Sequence, residues 1–272
     1  MTFAFDLATE VHEQQNGDYS GVVHDGWDIR GNANGGYVMA LVASAMRSAS
    51  QRKDPISVTA HYLAPLPPGE VQIATEVVKR GKTFCTVSAA MHQNGREAAR
   101  VIGAFGEVVG RNEIDSSLLH IDIAPPVLPP MTECSRRPSS GPGFSMGLMD
   151  KLDIWLHPDD TGFARGEQSG KTIVRGWVNF ADNRPIDTLA LLLAADAFPP
   201  VTFNLFGMKG WVPTIEFTVH VRGVPAPGPI LCEFTSALTQ GGYWEEDGVM
   251  WDSAGNVVAM SRQLALSPLG AD

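Results

Sequence analysis

Within LALLLAADAFPP, residues Leu189 to Pro200, one carboxylic acid, Asp196, stands among helix-forming apolar residues. A buried carboxylate without partners is costly or takes up a proton, so Asp196 either lies exposed at a helix edge or has polar company. If the run is helical, Leu189, Leu192, Leu193 and Asp196 recur at i, i+3, i+4 and i+7 and share one face, which points the acid inward. Pro199 and Pro200 stop such a helix, which leaves open a solvated acid at its C-terminal end. The helix alone does not choose between the two.

Other chemistry-bearing patterns are weaker. GFSMG, Gly143 to Gly147, is a literal G-x-S-x-G, but a nucleophile elbow needs a strand entering and a helix leaving. The preceding RRPSSGPG cannot be a central strand, so Ser145 is not read as a nucleophile. The histidines form no H-x-x-x-H or H-E-x-x-H pattern, and the three cysteines, Cys85, Cys134 and Cys232, are scattered and odd in number. Neither a metal centre nor a disulfide framework is expected, and a reducing cytoplasm fits best. No G-x-G-x-x-G follows a strand and no Walker A sequence occurs, so no cofactor is expected.

The chain of 272 residues is 44% hydrophobic and carries a formal net charge of −10. That suffices for one large domain or two smaller ones, and it repels nucleic acid and anionic membrane surfaces. The start lacks a basic stretch followed by a long apolar one, and reads as mature protein rather than a signal peptide. No run is long enough to insert in a membrane.

The elements that must position Asp196 come in two similar sets. EVHEQQNGDYSGVV reads as a hairpin closed by Asn16-Gly17, the pair that best suits a type I′ turn. NANGGYVMALVASAMRSAS follows as a mostly buried helix with Asn34 as its cap and Gly35 and Gly36 in its first turn. Residues 57–108 then alternate as strands, with a second Asn-Gly turn at Asn94-Gly95. The second half repeats the order: strand KTIVRGWVNF, helix RPIDTLALLLAADAF, then a further meander. VTAHYLAPLPPGEV lies over FTVHVRGVPAPGPI without a gap, matching His61 with His220 and Pro68-Gly69 with Pro227-Gly228, the mark of an internal duplication. Those two histidines read as half-buried imidazoles bonded to backbone. The expected organisation is a unit over 1–110, a Pro/Ser/Gly-rich linker over 111–147 and a unit over 148–272, in the α+β class, each sheet wrapped on its own helix.

With NGGYVMALVASA, VTAHYLAPLPPGEV, KRGKTFCTVSAAMHQNG, AADAFPP, PTIEFTVH and VVAMSRQLAL, the chain resembles the double-hotdog acyl-CoA thioesterases of the bacterial thioesterase II type from about Trp27 to Leu266. The resemblance implies two fused hotdog units and hydrolysis of fatty acyl-CoA by water held between an Asp, a Thr and a Gln of the second unit. Asp196, Thr214 in PTIEF and Gln263 in SRQLAL fall on those positions, although Glu216 stands where the family often has Asp. A thioester has a good leaving group, so positioned water with a base and an oxyanion site suffices. For the oxyanion the candidates are the N–H groups around Gly35, Gly36 and Tyr37, with close packing of the two glycines against a strand as the equal alternative. The resemblance further implies a homodimer of fused chains. A non-catalytic protein binding acyl-CoA or acyl-carrier protein is the alternative function. Arg80 and Lys82 read as a solvated turn, or as neighbours of a CoA phosphate.

Overall fold

The computed structural model describes residues 2–141, 144–208 and 212–267. A short helix, α1 (Ala4–Ala8), precedes a hairpin of β1 (Val11–Glu13) and β2 (Tyr19–Val23). A small ribbon, β3 (Asp28–Ile29) with β4 (Asn32–Ala33), leads into α2 (Gly35–Ser50). The meander β5 (Asp54–Tyr62), β6 (Gly69–Arg80), β7 (Cys85–Gln93) and β8 (Arg96–Gly106) completes the first half. The connecting stretch carries 3-10 turns and three short strands, β9 (Ser135–Arg136), β10 (Ser140–Gly141) and β11 (Phe144–Ser145). The second half runs α3 (Leu148–Lys151), β12 (Leu152–Leu156), β13 (Ile173–Phe180), α4 (Ala190–Ala194), α5 (Phe203–Phe206), β14 (Thr214–Val221), β15 (Ile230–Thr235), β16 (Thr239–Gln240), β17 (Tyr243–Trp251) and β18 (Val257–Leu266).

Most strands join one antiparallel sheet in the order β1-β2-β6-β7-β8-β5-β14-β18-β17-β15-β13-β12-β9. The order β2-β6-β7-β8-β5 in the first half matches β13-β15-β17-β18-β14 in the second, element by element, and the halves join where β5 pairs β14. Thr59 lies opposite Thr218 at this seam, their hydroxyls 2.9 Å apart, and the two are separated by the same 159 residues that relate His61 to His220. Repeat-equivalent residues can face each other across an antiparallel pair only where a local two-fold axis passes between them. The duplication extends to backbone conformation, since Gly69 (φ 147°) and Gly228 (φ 130°) take the same positive-φ form after their prolines. The connecting stretch is more than a linker, because β9 pairs with β12 and lengthens the second half's edge.

The helices differ between halves. Asn34 caps α2 by accepting the Tyr37 N–H at 2.9 Å, and Arg80 donates to the carbonyls of Ser50 (3.1 Å) and Ala49 (3.4 Å) at its other end. Arg80 is thus a helix cap rather than a free turn residue. The second helix, expected over residues 184–198, is only the five residues of α4, started by the Asp187 carboxylate accepting the Ala190 N–H at 2.8 Å. Pro199 and Pro200 lack donors and push the preceding residue towards extended backbone, so the chain leaves the helix before Asp196. Of the two Asn-Gly turns, Asn94 (φ 51°) and Gly95 (φ 76°) form the expected type I′ pair. At the first, only Gly17 (φ 81°) is left-handed, and its N–H returns to Gln14 O at 3.0 Å in a longer turn. His61 and His220 are exposed, not half-buried, because their parity on β5 and β14 puts them on the face away from the helices.

The first turn of α2 crosses α4 closely. A Cβ on Gly36 would lie 2.7 Å from Leu192 O and 2.8 Å from Asp196 Cβ, both held by backbone. Gly36→Ala is therefore expected to lose about 1–3 kcal/mol of stability, the usual range for overpacking. Chemical denaturation compared with wild type checks it, and an unchanged midpoint would contradict this packing.

Candidate active site

Asp196 sits two residues beyond α4, partly buried, against the start of α2. Its Oδ2 accepts from the Gly36 N–H and from Asn34 Nδ2, each at 2.8 Å, and Asn34 Nδ2 also reaches the Asp196 carbonyl at 2.8 Å. Asn34 uses its oxygen on the Tyr37 N–H, so one side chain caps the helix and clamps the acid. Burial pushes the Asp196 carboxyl up to about 6, against the lowering pull of Gly36, Asn34 and Gly35. Asp196 thus has partners, and they come from the first half of the chain.

Thr214 opens β14 beside a bulge, and Gln263 lies on the inward face of β18. Gln263 Nε2 donates to Thr214 Oγ1 at 2.5 Å. Neither residue hydrogen-bonds Asp196 directly. Glu246, however, stands directly across from Gln263 on β17, and the Asp196 charge raises its pKa, so the acid and the Thr-Gln pair border the same region. Glu216 points to the outer face, where it accepts the Thr218 hydroxyl.

The groups expected to meet an oxyanion are arranged differently. The Gly36 N–H is engaged by the Asp196 carboxylate and the Tyr37 N–H by Asn34. The Tyr37 side chain is fully buried, stacked on Trp27, with its hydroxyl donating towards Ala8 O at 3.0 Å and Val22 O at 3.2 Å. Gly35 is packed by Tyr62, whose hydroxyl donates to Gly35 O at 2.7 Å. The first turn of α2 therefore holds the Asp196 carboxylate, a consequence of the glycines permitting α4 to approach. In the G-x-S-x-G motif, Gly143 lies outside the described residues, and Ser145 ends the two-residue strand β11.

Three neighbours had not been singled out as site residues: Asn34 as a clamp, Tyr62 and Glu246. Burial raises the Tyr62 hydroxyl well above its ordinary value, helped by the charges of Asp196 and Glu216. Burial likewise pushes Glu246 up to about 8, with Asp196 and then Asp247 adding to it against the Val201 N–H. The available signal is strand parity: Trp244, Glu246, Gly248 and Met250 alternate inward on β17, which puts a carboxyl among core residues.

The Acyl-CoA thioesterase N-terminal domain model matches residues 23–106, and the Acyl-CoA thioesterase C-terminal domain model matches residues 128–267. The chain belongs to the acyl-CoA thioesterase family. A putative thioesterase II from Thermobifida fusca YX superposes with a TM-score of 0.85 at 31% identity, over 97% of each chain. A protein of unknown function with hot dog fold from Alicyclobacillus acidocaldarius gives a TM-score of 0.85 at 21% identity over 98% of each, a likeness of fold. An uncharacterized protein of Mycobacterium tuberculosis (strain ATCC 25618 / H37Rv) is 26% identical over 269 residues, 92% of this chain and 91% of that one. The fold is α+β, as the repeat implied, and the double hotdog that the family resemblance implied.

In this thioesterase-family chain the duplication does not repeat the Thr-Gln pair. The 159-residue offset carries Thr214 to Pro55. Gln263 pairs with Phe217, whose equivalent Val58 pairs with Gly103. Pro55 and Gly103 have no comparable chemistry. Among the described residues no helix is long and apolar enough to cross a membrane.

The Asp196 carboxyl titrates higher in the fold than its ordinary 3.8, so the folded state holds a proton that the unfolded chain releases. Its contribution to stability is greatest below about 4 and declines as pH rises to about 6. Asp196→Asn, which keeps an oxygen for Gly36 and Asn34, is expected to be at least as stable as wild type at pH 7.5 and to lack that part of the decline. Thermal midpoints from pH 3.5 to 8 read this directly, and parallel curves for the two proteins would refute the placement of the acid.

Proposed function

We propose that the protein hydrolyses acyl-CoA thioesters to free acid and CoA, with Asp196 as general base and Thr214 and Gln263 positioning the water. This reading is supported by a carboxylate that pairs with no cation among the described residues, clamped by Asn34 and Gly36 and pushed by burial up to about 6, with a hydrogen-bonded Thr-Gln pair bordering the same region. A base near that value is ionised at neutral pH yet still takes a proton well. Oδ2 is held by its two donors, which leaves Oδ1 to receive the proton from water.

Gln263 has a second amide hydrogen beyond the one given to Thr214, and the Thr214 hydroxyl, while accepting from Gln263, keeps its own hydrogen to donate. Both can orient a water oxygen or hold the thioester carbonyl as charge develops on it. In this reading Gly35 and Gly36 serve the site by allowing close approach and by fixing the base. Tyr37 supports the same turn from behind.

Asp196→Asn is expected to lower kcat for acyl-CoA hydrolysis by roughly 10²–10⁴-fold, and Thr214→Val or Gln263→Ala by roughly 10–10²-fold. A thiol-detecting assay across acyl lengths measures this, and a fully active Asp196→Asn would defeat the assignment. Wild-type kcat/KM is expected to rise with pH through about 6, as Asp196 loses its proton. Single-turnover reaction in heavy-oxygen water separates the base from a nucleophile: label appearing in the Asp196 carboxylate would mean attack on carbon. Tight acyl-CoA binding without turnover at any length would instead identify a binding protein.

A further inference from the structure

Glu246 is buried at 8% exposure on the inward face of β17, directly across from Gln263 on β18. Its Oε2 accepts the Val201 N–H at 2.9 Å, from the segment that follows Pro199 and Pro200. Among the described residues no Lys, Arg or His forms an ion pair with it, and no protein donor bonds its Oε1. Gln263 is in a matching position: Nε2 is given to Thr214, and among the described residues no donor bonds Oε1. Side chains directly opposite on one face of an antiparallel pair lie close enough to bond. For the two remaining acceptor oxygens to meet in this register, a proton has to lie between them.

We propose that Glu246 is a positioning residue of the thioesterase site, donating from a protonated carboxyl to Gln263 Oε1 and thereby fixing which way the Gln263 amide faces. The proposal rests on the hydrolytic role given above to Gln263. With its oxygen so engaged, Gln263 must turn Nε2 towards Thr214 and the reacting atoms. The charged and titratable groups facing Glu246 favour this form. Asp196, across the site, and Asp247, next along β17, are acids that disfavour a further negative charge, and the Val201 N–H alone opposes them. Tyr62, beside Asp196, stays neutral. Burial with these neighbours holds the Glu246 carboxyl up to about 8, so the donor is present at neutral pH and is lost above that value. Loss of the proton both frees the amide to flip and sets a second anion near Asp196.

The consequence is a bell-shaped kcat/KM profile, its acid limb set by Asp196 and its alkaline limb by Glu246, with the usual mixing of coupled groups. Glu246→Gln imitates the protonated acid, since its carbonyl can accept from Val201 and its amide can donate to Gln263. It is expected to keep kcat within about threefold of wild type at pH 7 and to lose the alkaline limb. Glu246→Ala is expected to lower kcat at least tenfold with little change in KM. Persistence of the wild-type alkaline limb in Glu246→Gln would overturn the proposal, as would a fully active Glu246→Ala. Carbon-13 NMR of protein labelled at the Glu carboxyl gives a readout independent of activity. One carboxyl should titrate near 8, vanish in Glu246→Gln and move to lower pH in Asp196→Asn. If wild type turns over no acyl-CoA, the thioesterase reading fails while this titration still decides the state of Glu246. A Glu246 signal titrating near the ordinary carboxylate value would overturn the protonated donor itself.

Discussion

The seating of the Asp196 carboxylate on the first turn of α2 is the contact on which the rest of the site depends. The acid belongs to the second half of the chain, while Gly36, Asn34 and the helix beneath them belong to the first. A helix N-terminus offers unpaired N–H groups and positive potential, so it stabilises the anion that burial disfavours. The result is a compromise: a carboxyl raised to about 6 rather than held at the ordinary value or driven fully neutral. Both features follow from one close approach, which a side chain at Gly36 would prevent.

That approach is made possible by the continuous sheet. Joining β5 to β14 across a local two-fold axis fixes the two halves with Thr59 against Thr218. Helix α2 packs against the strands of the first half, and its glycines let α4 meet it. Duplication gave the two halves one strand order but did not preserve their contents. Prolines shortened the second helix to α4, and the positions equivalent to Thr214 and Gln263 became Pro55 and Gly103. The symmetry of the scaffold thus positions an asymmetric set of side chains.

The electrostatics of the region are set by acids that form no ion pair among the described residues; the partly buried Arg137 guanidinium donates instead to the carbonyl of Ala197. The Asp196 charge disfavours ionisation of both Glu246 and Tyr62, each already raised by burial. Such a grouping lowers stability as pH rises, since the fold holds protons that the unfolded chain has released. An ion pair would hold either acid in its charged form; among the described residues neither Asp196 nor Glu246 has one, which is consistent with carboxyls raised towards neutrality.

Periodicity, caps and turns were readable in the sequence because they depend on neighbouring residues. Asn34 before two glycines marked the start of α2, Asn94-Gly95 marked a type I′ turn, and the gapless match around His61 and His220 marked the duplication. Asp196, Thr214 and Gln263 were legible as candidates through their order and their resemblance to a family pattern. What that information could not contain was pairing between distant residues. The clamp of Asn34 on Asp196 arises from a contact across the two halves, and the place of Glu246 opposite Gln263 from strand pairing within the second. The N–H groups at the start of α2 show the difference most plainly. Local sequence determines that they are unpaired within the helix, but only the packing of α4 against them decides that they meet a carboxylate.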